Sequence, residues 1–292
     1  MSGINTNRTN ITLPTSVSSM ILQKTQENSA VMQLATQIAL PGNGLTIPVI
    51  TSDPAAAWVD ETDEKPVGNP GLSTKVMRGY KLAVIEPFSN QFRRDYGALY
   101  DALVARLPRI LAEKFDATVF GKGSAPGDDF DTFATCTAQS LASDVYGALV
   151  AADTDIALHG GISNGYAVSP QMKGILLAAV DKNDRPLFVN SVAEGAVDRI
   201  LGQPTHLTKG AFVSGTPAST VGVVGDWTKA MYGVVEGVDI SFSSDATLTL
   251  ADNSTINLFQ RNMFAVRAEI EIGFRADTSV FNKLTATSVP SV

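Results

Sequence analysis

Gly161-Ile162-Ser163-Asn164-Gly165 has the spacing of a nucleophile elbow, the strained turn that exposes a serine hydroxyl between a strand and a helix. His159-Gly160-Gly161, just before it, is similar to an oxyanion-binding loop, and His206 lies downstream where a triad histidine could stand. The chemistry would be acyl transfer through an activated Ser163. The elbow requires a helix directly after the serine, whereas Tyr166-Ala167-Val168-Ser169-Pro170 follows and reads as a strand. The spacing therefore favours a glycine-rich loop with an incidental serine, and a serine hydrolase using Ser163 is the weaker alternative.

The other candidate chemistry is thinner. Gly121-Lys122-Gly123-Ser124 precedes no helix and lacks phosphate-loop spacing, so it reads as a turn. Asp128, Asp129 and Asp131 do not alternate as calcium ligands do, and read as a solvated acidic loop. Cys136 is the only cysteine, which excludes a disulfide framework and a cysteine zinc site, and is expected to be buried and inert. Two histidines, His159 and His206, cannot build a multi-histidine centre and read as surface or turn residues. The expectation is a protein with no metal or other cofactor and no enzymatic activity.

The chain has 292 residues, 44% apolar and only 17% charged, enough for a substantial core and lightly charged for a soluble monomer. A large surface hidden between subunits is the natural reading. Twenty-two Lys and Arg against 29 Asp and Glu give a net charge of -7, which argues against a protein that grips nucleic acid by neutralising phosphates. The N-terminus has no signal-peptide run, and no window approaches the ~20 apolar residues of a membrane span. A soluble protein made in the cytoplasm, with no membrane partner, is expected.

Residues 1–40 are polar and then carry short apolar patches, an arm that needs a partner surface. Strands are expected at 45–50 and 80–88, separated by residues 51–79, which hold prolines, glycines and charges and cannot bury a core of their own. Trp58 sits in this stretch as a candidate anchor on another subunit. Tyr96, Leu99, Tyr100, Leu103, Leu107, Ile110, Leu111 and Phe115 form one helical stripe over 95–120, with Asp95 as N-cap, a kink at Pro108 and a stop at Gly121. Phe264, Val266, Ala268, Ile270, Ile272 and Phe274 alternate with charges, a half-buried strand over 262–275. Between them the sequence predicts helices near 141–152, 170–180 and 191–201, and strands at 166–169, 220–224 and 232–242.

In this order the pieces resemble the major capsid proteins of tailed bacteriophages, whose shell fold is shared with encapsulins. Leu13-Pro14, Met20-Ile21 and Ser29-Ala30-Val31-Met32 resemble the segment before the family's extended loop, and Ala57-Trp58-Val59-Asp60-Glu61 is similar to its loop signature. The helix ending in Phe120-Gly121-Lys122-Gly123-Ser124 looks like its spine helix. Asn164-Gly165-Tyr166-Ala167-Val168-Ser169-Pro170, Asp181 to Leu187, Ile200-Leu201-Gly202-Gln203-Pro204 and Gly225-Asp226-Trp227 resemble the axial domain. Asn262 to Glu269 and Asp277 to Leu284 resemble the closing strand and tail.

The resemblance implies an α+β fold with an N-terminal arm (1–40), an extended β-hairpin loop (41–86), a peripheral domain with the spine helix on a sheet (87–138 and 246–275) and an axial domain (139–245 and 276–292). It implies a virion shell assembled in the host cytoplasm from hexamers and pentamers around double-stranded DNA, with Trp58, Val59 and Glu61 at a subunit interface. A separate scaffolding protein, or none, a portal and, in some members, a decoration protein are the other partners implied. An encapsulin-like compartment is the alternative. Some members weld subunits by an isopeptide bond, for which the resemblance offers Lys65 or Lys75, Asn262 and Glu269. Residues 262 and 269 differ by an odd number and would face opposite ways in a regular strand, and no cross-link is expected.

Overall fold

The computed structural model describes residues 15–52, 58–60, 64–65, 67, 71–91, 96–181, 183, 185–188, 199–250 and 252–287. In chain order the elements are α1 (Thr15–Asn28), α2 (Ala30–Leu34), β1 (Thr36–Ala39), β2 (Leu45–Ser52), β3 (Gly71–Met77), β4 (Tyr80–Ser89), α3 (Tyr96–Val119) and β5 (Thr137–Ser140). There follow α4 (Val145–Leu158), β6 (Gly165–Val168), α5 (Pro170–Ala178), β7 (Arg199–Ile200), β8 (Gln203–Leu207) and β9 (Ser219–Gly225). The chain closes with β10 (Ala230–Ser243), β11 (Thr247–Thr249), β12 (Thr255–Asn257), β13 (Met263–Ala276) and β14 (Phe281–Ala286). Among the described residues no helix is long and apolar enough to cross a membrane.

The stripe on α3 works as its spacing demands. Leu103, Leu107 and Leu111 are buried against Val266, Ala268 and Ile270 of β13, while Phe115, Val119 and Phe120 enter a second core around Trp227, Phe274 and Phe281. Pro108 is buried inside the helix, which continues to Val119. The side chains of Tyr96, Leu99 and Tyr100, and Asp95 itself, lie outside the described residues. The helix stops in a Schellman turn: the Lys122 amide donates to the Ala117 carbonyl (2.8 Å) and the Gly121 amide to that of Thr118 (3.0 Å). Gly121 stands there at φ 88, where a side chain would also strike Ala134.

Two sheets share this helix. The four-stranded sheet runs β1-β10-β13-β4, with β13 antiparallel to both neighbours; the six-stranded sheet runs β5-β14-β9-β6-β8-β7. β2 and β3 form a separate antiparallel hairpin at the base of residues 51–79. β13 shows the expected alternation from Val266 to Ile272, with Arg267 exposed and Glu269 and Glu271 half-buried between buried apolar residues. β10, which falls before the expected boundary at 245, is bonded to β1 and β13 rather than to the six-stranded sheet.

Three expectations need correction. The arm does not wait for a partner over its described part: Ile21, Ala30, Val31 and Met32 are buried on the chain's own helix and sheets, and β1 adds to β10. Its apolar patches are short because α1 and α2 each need to cover only one end of α3. The helix expected at 141–152 begins at Val145, where Asp144 accepts from the Gly147 amide, and continues to Leu158. The end of the helix expected at 191–201 is instead a two-residue hairpin, β7 turning into β8 through Leu201 (φ 49) and Gly202 (φ 82); residues 191–198 lie outside the described ones.

Candidate functional site

Ser163 is not an elbow nucleophile. It is 4% exposed, β6 follows it, and the next helix starts at Pro170 behind a Ser169 cap. His206 sits on β8 opposite Ala167, four residues past Ser163 on the neighbouring strand, and burial lowers its basicity. The glycine loop has another organiser, Asp226. Its carboxylate accepts from the Ile162 amide (3.2 Å), Asn164 Nδ2 (3.2 Å) and the Thr228 hydroxyl (2.5 Å), while Asn164 Oδ1 accepts from the Trp227 amide (2.9 Å). Trp227 Nε1 donates to the Gly165 carbonyl (3.0 Å), so each of these groups is engaged in holding loop to core.

At the extended loop, Trp58 is fully exposed and Val59 exposed, so among the described residues nothing covers the indole. Glu61 lies outside the described residues. The base of the loop is held by a charge cluster. Arg275 donates Nη1 to Asp131 (2.9 Å), Nη2 to Asp129 (2.9 Å) and Nε to the Val76 carbonyl (2.6 Å). Lys75 Nζ donates to Asp131 (3.3 Å) and to the Ala276 carbonyl (2.9 Å), and Arg78 pairs with Asp129 at 3.3 Å. The acidic loop is therefore a clamp rather than a solvated tip, because α3 ends beside a strand that carries Arg275. Sequence reading missed this; the signal present was a cation among the charges alternating along β13.

The proposed cross-link residues are not brought together. Lys65 is exposed on the loop, and Lys75 is in the clamp. Asn262 precedes β13 in a left-handed turn (φ 52), where its Oδ1 accepts from Asn90 Nδ2 at 2.7 Å. Glu269 lies six residues into the strand, about 20 Å along it, and pairs with Arg267 at 3.1 Å. The parity argument does not apply to a residue outside the strand; distance separates the two instead.

The phage capsid family model matches residues 9–280, nearly the whole length over which this architecture was traced. The chain belongs to the phage capsid family. As a family member it is a structural, shell-forming protein. It is 28% identical over 279 residues to a probable major capsid protein of Mycobacterium phage D29, covering 89% of this chain and 85% of that one. It is 24% identical over 289 residues to the major capsid protein of Staphylococcus phage 80alpha, covering 94% and 84%. Its fold matches a structure from Mycobacterium phage Adephagia with a TM-score of 0.71 (20% identity, 90% and 92% coverage). It matches the capsid of a native GTA particle with a TM-score of 0.64 (16% identity, 99% and 96% coverage).

In this capsid protein the arm is tied down at Asp116, which no motif marked. The carboxylate is 0% exposed and accepts from Ser29 Oγ (2.5 Å), Thr208 Oγ1 (2.8 Å) and the amides of Ala30 (3.0 Å) and Val31 (3.4 Å). Burial raises its pKa to about 6 against the pull of those four donors. Cys136 is buried, as expected, and burial pushes its thiol up to about 12, which removes it as a nucleophile at neutral pH.

Proposed function

We propose that this chain is the major capsid protein of a tailed phage, building hexamers and pentamers that close into an icosahedral shell around DNA. The observation that carries the reading is the family match over 9–280 combined with an exposed Trp58 on a loop whose base is held by the Arg275 clamp. In this reading α3 and the four-stranded sheet form the peripheral domain and the six-stranded sheet with α4 and α5 the axial one. Trp58, Val59 and Glu61 meet a neighbouring subunit, since aromatic anchors dominate such contacts. A net charge of -7 suits a wall that confines DNA without gripping it. Assembly takes place in the host cytoplasm, with a scaffolding protein or without one, and with a portal and, in some particles, a decoration protein. Ser163 carries no catalysis, and the subunits are not welded.

Sedimentation and negative-stain microscopy of the purified protein, with scaffold supplied, test this. Rings or closed shells are expected; a 30.8 kDa species alone across salt and concentration overturns the reading. Trp58→Ala should keep the melting temperature and lose the particles, at a cost of at least about 2 kcal/mol per contact. A loop deletion for the same purpose should span 53–70 only, because β3 carries Lys75 and belongs to the clamp.

A further inference from the structure

A cavity of ≈ 670 Å³ lies between the base of the β2–β3 hairpin and the body of the chain. One wall is the rung that pairs Ile47 with Lys75 in the hairpin, and another is the rung that pairs Met231 with Arg275 between β10 and β13. Lys229 lines a third side, where its carbonyl accepts from the Asp277 amide at 3.1 Å.

The lining reverses the sign of the chain. Lys75, Lys229 and Arg275 stand against one carboxylate, Asp277, in a protein of net charge -7. That carboxylate is turned to its own backbone, Oδ1 accepting from the Ser279 amide (3.2 Å) and hydroxyl (2.7 Å). Arg275 spends its fork on Asp129 and Asp131, so the capacity left for a ligand rests with the two ammonium groups. Each ammonium has three N–H donors. Lys75 uses two, on Asp131 and the Ala276 carbonyl, and keeps one on a side chain that is 40% exposed. Lys229 is exposed and, among the described residues, its Nζ makes no hydrogen bond or ion pair, so it keeps all three. His159, at the end of α4, donates Nδ1–H to the Asp155 carbonyl (2.8 Å), which leaves Nε2 of the neutral ring an acceptor with nothing to offer an anion.

We propose that this cavity is an oxyanion site, taking a free dianion of the phosphate class between Lys75 of the hairpin and Lys229 of the body. Two like charges on separate elements lining one cavity repel each other, and an oxyanion with several acceptor oxygens both removes the repulsion and engages the spare donors of the two lysines. Ile47, Pro48 and Met231 supply apolar sides that lower the local dielectric and strengthen those bonds. The ligand is a free anion rather than a nucleic-acid backbone, because these cations converge on one cavity, whereas a duplex is gripped by neutralising a series of phosphates along its length. The bound anion braces the hairpin, and with it the exposed loop that the hairpin carries, against β10 and the turn at Lys229. The site does not depend on the assembly reading, since both walls belong to one chain.

Calorimetric titration of the purified protein with inorganic phosphate, at ionic strength held constant with sodium chloride, tests this together with amide exchange. Saturable binding is expected, with slower exchange in β2 and β3 when phosphate is added. Lys229→Glu changes an exposed side chain, so it should keep the phosphate-free melting temperature, and it should weaken phosphate at least about tenfold through lost charged hydrogen bonds. Lys122→Glu makes the same charge change on an exposed turn outside the cavity and should leave the affinity within about twofold, because salt screens distant exposed charges. A short DNA duplex added as competitor distinguishes the source of the phosphate: it should fail to displace the free anion, and displacement overturns the assignment to a free ligand. Absence of saturable binding, equal losses in the two variants, or hairpin exchange that phosphate does not move overturns the site.

Discussion

Four neutral donors converge on the Asp116 carboxylate, which has lost all contact with water. Donors favour the ionised form and burial the neutral one; burial wins, raising the pKa from 3.8 to about 6. The folded protein therefore binds more protons at this site than the unfolded chain between those values. Its contribution to stability is fullest below about pH 4 and is lost as pH rises through 6, a difference of about 3 kcal/mol. Asp116→Asn removes the titration, so the wild-type melting temperature should fall relative to the variant's between pH 4 and pH 7. A gap that does not change with pH sinks the assignment. Sequence could not have shown this site: Asp116 follows the α3 stripe as an ordinary helical aspartate, and Thr208 is 92 residues away. Ser29 was read only as part of a resemblance, although its cap on α2 is a local signal.

At the scale of elements, what was legible had a period. The stripe of α3 and the alternation of β13 each repeat their apolar residues often enough to fix both type and facing, and the Ser169-Pro170 start of α5 is a cap with a mechanism. The clamp was not legible, since it joins β3, the turn after α3 and β13 by side chains far apart in sequence. Arg275 is 11% exposed and uses its planar fork on two carboxylates while Nε holds the β3 backbone. Arg275→Lys keeps the charge and loses the fork, so it should not rescue the site. We expect Arg275→Met to lose about 3 kcal/mol, since Asp129 and Asp131 are left half-paired, and the lysine variant to recover less than half of that. Faster amide exchange in β3 with slow exchange kept in α3 would place the damage at the loop base. A lysine variant melting with the wild type would show that charge alone suffices.

Over the whole molecule, α3, β10 and β13 each run through both cores, one end in the cluster around Leu107 and Val266 and the other in the cluster around Trp227 and Phe281. A load applied at the exposed loop reaches β13 through β3 and the Arg275 clamp, and reaches β4 along the backbone through Arg78 and Gly79. Whether copies are also welded depends on chemistry that these positions oppose. An isopeptide bond needs a neutral lysine amine to attack the Asn262 carboxamide carbon and expel ammonia, with a carboxylate nearby to take the proton. Lys75 Nζ is held by Asp131 and the Ala276 carbonyl, Asn262 already accepts from Asn90, and Glu269 pairs with Arg267 about 20 Å along the strand. Lys65, on the exposed loop, is the remaining lysine, and it would have to find Asn262 and a carboxylate on other copies at once. Particles boiled in denaturant and reductant should accordingly run as one band near 30.8 kDa. A ladder of multiples that vanishes in Asn262→Ala would mean that neighbouring copies supply the missing geometry.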